Sequence, residues 1–188
     1  EICACLVGSE MCIRDRGDID FESWKYDKVT TERQPGSTFK LFVYTEAMNQ
    51  GVTPCDKRRD EYIQMEVLDK KTGEYNTWRP TNTNGRFSGD SVTLKRAFAQ
   101  SINSIAVKLG QEMGIPNIIR TAQDMGITSP LADEPSLALG SSDVNLLDLT
   151  DSYCTAANDG KHHSPVLVTR IVCLLYTSPS PRDMRRSR

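Results

Sequence analysis

Ser37 and Lys40 stand three residues apart in the run Ser37-Thr38-Phe39-Lys40. On a helix that spacing puts both side chains on one face. A serine hydroxyl is a weak nucleophile at its own pKa and needs a base within hydrogen-bond reach. A lysine taken out of water has a lowered pKa and can be that base, so the pair suits acyl transfer through a serine ester. The spacing by itself is common, and a solvated lysine on a helix surface is its ordinary reading, so the flanking residues must decide. Other candidates carry less. His162-His163 has no acid or cysteine at ligand spacing and reads as a polar surface turn, not a metal site. No residue pattern asks for a cofactor. Cys55 reads as a loop thiol and Cys154 as a thiol in a helix core.

The elements that must position the pair follow from periodicity. Gly36 allows a sharp entry to a helix running to Met48, with Phe39, Phe42, Val43 and Ala47 at helical spacing and Gly51 as its stop. Tyr62–Val67 alternates Ile63, Met65 and Val67 against polar neighbours as a half-buried strand does. A polar loop from Arg79 to Arg86, read as solvated, leads to Thr93, a cap for a helix through Leu94, Ala97 and Phe98. Further helices carry Ile105, Leu109 and Met113, then Asn117 to Met125 between Pro116 and Gly126. A last one after Asn145 places Leu146, Leu149, Tyr153 and Ala156 on one stripe. Pro165–Val172 reads as a strand. Helices flanked by strands make the class α+β.

The chain has 188 residues, 26% charged and 38% hydrophobic, with a net charge of -2, which suits one globular domain and gives no reason to expect a nucleic-acid partner. Four of the six cysteines, Cys3, Cys5, Cys12 and Cys173, lie in terminal segments unlike the middle. The run Cys173–Asp183 can be encoded by DNA that resembles a transposase-type sequencing adapter. The inverse complement of that DNA, in another frame, encodes Leu6–Asp15. Residues 1–16 and 173–188 are therefore expected to be non-native tails around a natural stretch, 17–172. Genomic reads that continue the gene through either tail with other codons would remove this expectation. The remaining Cys55 and Cys154 are too few to diagnose a redox compartment.

The context of the serine is Arg33-Gln34-Pro35-Gly36-Ser37-Thr38-Phe39-Lys40, and this resembles the nucleophile motif of class A, bifunctional penicillin-binding proteins. Ser101-Ile102-Asn103 resembles that family's second element. Two residues apart, Ser101 and Asn103 reach one cleft only from a turn between helices. Trp78-Arg79-Pro80-Thr81-Asn82, Val92–Phe98, Leu137-Ala138-Leu139-Gly140 and Tyr153–Gly160 follow in family order.

The resemblance implies a serine β-lactamase/penicillin-binding transpeptidase-like fold and a serine-type D-Ala-D-Ala transpeptidase or carboxypeptidase that makes peptidoglycan cross-links. It implies Ser37 as nucleophile, Lys40 as its base, Ser101 as a proton relay to the leaving amine and Asn103 as a substrate-binding residue. Its partners would be stem peptides ending in D-Ala-D-Ala, and β-lactams that mimic them. The parent would carry a glycosyltransferase domain and a membrane anchor, and would act at the outer face of the bacterial cytoplasmic membrane, in the periplasm of a Gram-negative. Lys71-Thr72-Gly73 spells the family's third element, yet it precedes Ser101 where the family's follows it, and it reads as an ordinary turn. The true Lys-Thr-Gly strand is expected beyond Val172, which makes the domain incomplete. The chain as written is then expected neither to fold stably nor to bind penicillin. A β-lactam sensor or a β-lactamase of the same fold is the alternative, as is an inactive fragment.

Overall fold

The computed structural model describes residues 29–68 and 73–166. Its centre is the segment that carries Ser37. Gly36 takes φ +56°, which lets the chain turn abruptly after Pro35 into a 3-10 turn, Gly36–Phe39, continued by helix α1, Lys40–Asn49. Phe39, Phe42, Val43 and Ala47 are wholly buried, as the sequence periodicity predicts. Helix α2, Leu94–Ala99, is capped by Thr93, whose side chain accepts from the Arg96 N–H. Helix α3, Asn103–Met113, packs on α1 through Ile105, Ala106 and Leu109. Gly114 ends it and Pro116 opens α4, Ile115–Asp124, which lays Ile118, Thr121 and Ala122 into the same core.

A second 3-10 turn, Pro135–Leu139, presses Leu137 and Ala138 against α3. The approach is so close that a Cβ on Gly110 would stand 2.9 Å from the Ala138 Cβ. Helix α5, Leu146–Ala157, starts at Asn145, whose side chain accepts from Asp148 N at 2.7 Å.

Strands are short, and among the described residues they form three antiparallel pairs. Strand β1, Glu32–Arg33, pairs with β6, Val144–Asn145; β2, Lys57–Arg59, with β5, Ser91–Thr93; and β3, Met65–Leu68, with β4, Tyr75–Trp78. The result is α+β, a helical core with strand pairs around it. Among the described residues no helix is long and apolar enough to cross a membrane.

Three expectations are corrected. The strand expected over Tyr62–Val67 begins only at Met65, although Ile63, Met65 and Val67 do keep the half-buried alternation. The apolar stripe of α5 is only in part its buried face: Leu149 packs against the core, but Leu146 and Tyr153 are 52% and 40% exposed, whereas Ser152 and Thr155 are buried. Those two hydroxyls donate to main-chain carbonyls, Ser152 to Asp148 and Thr155 to Met125, so the buried face is small and polar yet satisfied. Cys154 sits on the uncovered side and is exposed, not a core thiol; Cys55 is exposed, as a loop thiol should be. Of the strand expected at Pro165–Val172, Pro165 and Val166 lie in no strand and the remainder is outside the described residues. Both terminal segments read as tails also lie outside them.

Candidate active site

The turn that carries Ser37 is held by contacts to its backbone from far along the chain. Gly36 N donates to Gly140 O at 3.3 Å, and a Cβ on Gly140 would lie 2.1 Å from Gly36 O. Only a glycine at position 140 lets the main chains meet this closely, while Gly36 is needed for its positive φ. From α5, the Tyr153 hydroxyl donates to Thr38 O at 2.9 Å, while the Thr38 hydroxyl donates to Pro35 O at 2.8 Å. Ser37 is exposed on the turn so fixed, and Lys40, one turn on, is 2% exposed.

Ser101 and Asn103 come to Lys40 from a turn between α2 and α3, the placement that their two-residue spacing requires. Ser101 takes φ +53°, unusual for a residue other than glycine, and in that conformation it presents both carbonyl and hydroxyl to one partner. The Lys40 Nζ donates to Ser101 O at 2.8 Å, to Ser101 Oγ at 2.9 Å and to Asn103 Oδ1 at 2.6 Å. All three acceptors are neutral, so no counter-charge offsets the loss of water around the ammonium. Burial lowers the Lys40 pKa to about 8. Asn103 also donates from Nδ2 to Thr81 O at 2.7 Å.

Asn82 and Asp60 hold this cluster, and sequence reasoning missed both roles. The residue before α3 is Ile102, which cannot cap it. The Asn82 Oδ1 does so instead, accepting from Asn103 N at 3.0 Å and Ser104 N at 3.2 Å. Asp60, 4% exposed, accepts from Ser104 Oγ at 2.6 Å, Asn82 Nδ2 at 2.8 Å and Ser88 N at 2.9 Å. Burial pushes its carboxyl up, but the hydrogen bonds from Ser104, Ser88 and Asn82 outweigh it and leave the pKa below the usual carboxylate value. The signal for Asn82 was in the Trp78–Asn82 segment; for Asp60, among charged neighbours, there was none.

Other features stand apart. Gly73, at φ +73°, lies in the connection between β3 and β4; Lys71 and Thr72 are outside the described residues. The His162 Nε2 sits 2.6 Å from Asp151 Oδ2, on α5 two residues before Tyr153. A cleft of about 920 Å³ opens beside Ser101, lined by Asp60, Asn82, Arg86, Arg96 and Gln100 among others. Ser37 and Lys40 do not line it.

This arrangement matches a known one. The family described as the penicillin binding protein transpeptidase domain matches residues 14–186. The chain belongs to this family. It is 34% identical over 169 residues to penicillin-binding protein 2D of Bacillus subtilis, covering 87% of this chain and 24% of that one. Penicillin-binding protein 1A of Rickettsia typhi is 33% identical over 156 residues, covering 82% and 19%. The crystal structure of penicillin-binding protein 1A from Haemophilus influenzae superposes with a TM-score of 0.63 at 28% identity, over 72% of this chain and 20% of that one. The chain thus spans about a quarter or less of the length of these relatives, and its fold is part of a penicillin-binding transpeptidase domain. The matched range takes in residues 14–16 and 173–186, which the DNA reading sets aside as tails.

Proposed function

We propose that this chain is the nucleophile-bearing part of a D,D-transpeptidase that cross-links peptidoglycan through an acyl-enzyme on Ser37. The observation that carries the reading is a buried lysine of lowered pKa, one turn from an exposed serine and hydrogen-bonded to the Ser-x-Asn turn. Neutral Lys40 takes the Ser37 proton as Oγ attacks the carbonyl of the penultimate D-Ala. The C–N bond to the terminal D-Ala breaks, its nitrogen receives a proton relayed through Ser101, and an ester remains on Ser37. The amine of a neighbouring stem peptide then attacks the ester, forming the cross-link and returning the proton to Ser37. A β-lactam opens on the same serine and leaves a stable ester. Asn103 holds the substrate's amide backbone.

The whole protein, with a glycosyltransferase domain and a membrane anchor at the outer face of the cytoplasmic membrane, belongs to the same proposal. So does the assignment of 1–16 and 173–188 as non-native tails around 17–172. The test is to mix the full-length protein with a fluorescent penicillin and locate the adduct by mass spectrometry. The adduct is expected on Ser37 and lost in Ser37→Ala. An adduct elsewhere, or none, overturns the assignment.

A further inference from the structure

We infer that Asp60 is a positioning residue for acylation, acting through Asn82 on the Lys40–Ser101–Asn103 cluster. Asp60 contacts none of those three side chains. Its reach is indirect, by two converging routes. Along one, the Ser104 hydroxyl, on the residue after Asn103, donates to Asp60 Oδ1. Along the other, Asn82 Nδ2 donates to the same oxygen while Asn82 Oδ1 receives the N–H groups of Asn103 and Ser104.

The second route fixes more than distance. An asparagine amide has a donor end and an acceptor end that are nearly equal in shape. If this one turned over, its NH2 would face two backbone N–H groups and the first turn of α3 would lose its cap. Asp60 Oδ1 and Arg86 O, both acceptors, hold the NH2 end on their side. An acceptor-only carboxylate at position 60 therefore decides which way Asn82 points, and Asn82 decides where α3 begins. Asn103 is the first residue of α3, so its Oδ1 meets Lys40 only when that start is held.

Asp60 is itself held. Its N–H donates to Asp90 O at 3.0 Å, its carbonyl accepts from Gly89 N at 2.9 Å, and Ser88 N occupies Oδ2. A carboxylate so fully hydrogen-bonded has little freedom to follow a displaced partner. It behaves as a fixed post from which the movable amide is aligned.

The inference rests on acylation at Ser37, so the experiment separates the two. In the full-length protein, the binding step and the acylation step for a fluorescent penicillin are measured by stopped flow and expressed per titrated active site, with the melting temperature taken in parallel. Absence of wild-type labelling at Ser37 overturns the function and this inference together. With wild-type labelling present, Asp60→Asn, which keeps the shape but places an NH2 against Ser88 N–H or Asn82, is expected to slow the acylation step by ~10²-fold, the size of loss a small misplacement causes. The binding step is expected to stay as it was.

Asn82→Ala should do the same, and the double variant should be little slower than the slower single, because both substitutions cut one connection. Glu112→Gln is the comparison for stability alone: it weakens the Arg58 ion pair on the far part of α3, and should leave acylation per active site unchanged. If Asp60→Asn acylates at the wild-type rate per active site with only its melting temperature lowered, Asp60 is a structural carboxylate and the inference falls. Full additivity of the Asp60 and Asn82 losses would overturn it as well.

Discussion

The Lys40 Nζ and the Ser101 Oγ stand 2.9 Å apart, and of the three acceptors around this lysine only that hydroxyl can reverse its role. The Ser101 carbonyl and the Asn103 Oδ1 accept and cannot donate. When Lys40 loses its proton it keeps two N–H donors for those two oxygens and gains a lone pair. The Ser101 O–H is placed to turn toward it, so the charge state of Lys40 sets the direction of the Ser101 proton.

A pH dependence follows. Acylation needs neutral Lys40, whose pKa is lowered by burial to about 8. At pH 7 roughly a tenth of it is neutral, so the acylation rate should climb with pH and level off above about 8. A stopped-flow profile against pH checks this; an inflection in the carboxylate range would contradict it. Stability carries the matching sign. Because the folded pKa lies below the unfolded value near 10.5, the burial penalty is full below pH 8 and is relieved as pH rises from 8 through 10.5. The unfolding free energy of the wild type, less that of Lys40→Ala, should rise across that window.

Ser101→Ala and Ser101→Gly separate the hydroxyl from the backbone. Both remove Oγ and should slow acylation alike, by ~10²-fold. At φ +53° glycine avoids the left-handed penalty that alanine keeps, so the glycine variant should be ~1 kcal/mol more stable in urea unfolding. Recovery of acylation in Ser101→Gly would show that the hydroxyl is dispensable.

Gly140→Ala should be among the most damaging changes for its size. Its methyl would stand 2.1 Å from Gly36 O, and position 140 has φ +75°. The turn must back away, at a cost of about 2–4 kcal/mol, and Ser37 moves with it. Thermal unfolding and penicillin labelling should fall together.

Tyr153→Phe removes one hydrogen bond to Thr38 O and no packing volume. A loss of ~1 kcal/mol is expected, with acylation slowed about fivefold if that energy is needed to hold the Ser37 turn. An unchanged acylation rate would mean that the glycine contact suffices alone.

Much of the site was legible because its parts are local. Gly36, the Ser37–Lys40 spacing, the Thr93 cap, the helix start after Asn145 and the Pro116 start each act within a few residues of themselves, and the structure keeps all of them. The two-residue spacing of Ser101 and Asn103 required a turn, and the structure has one. Asp60 was illegible for the opposite reason. It lies in Lys57-Arg58-Arg59-Asp60-Glu61, where a charge reads as solvated, and its burial comes from Ser88, Asn82 and Ser104, more than twenty residues away in each case. The α5 stripe misled because periodicity reports where apolar residues lie, not which face the tertiary packing covers; a small face with Ser152 and Thr155 fitted the neighbour better.

The contact between Gly36 and Gly140 joins points roughly a hundred residues apart, so it forms only after a large loop has closed, a step that long-range contacts make slow. As the chain leaves the ribosome, Ser37 emerges roughly a hundred residues before the partner of its turn. The serine therefore lacks its bracing until that later segment has been made and has folded back, so the local turn precedes the geometry that holds it.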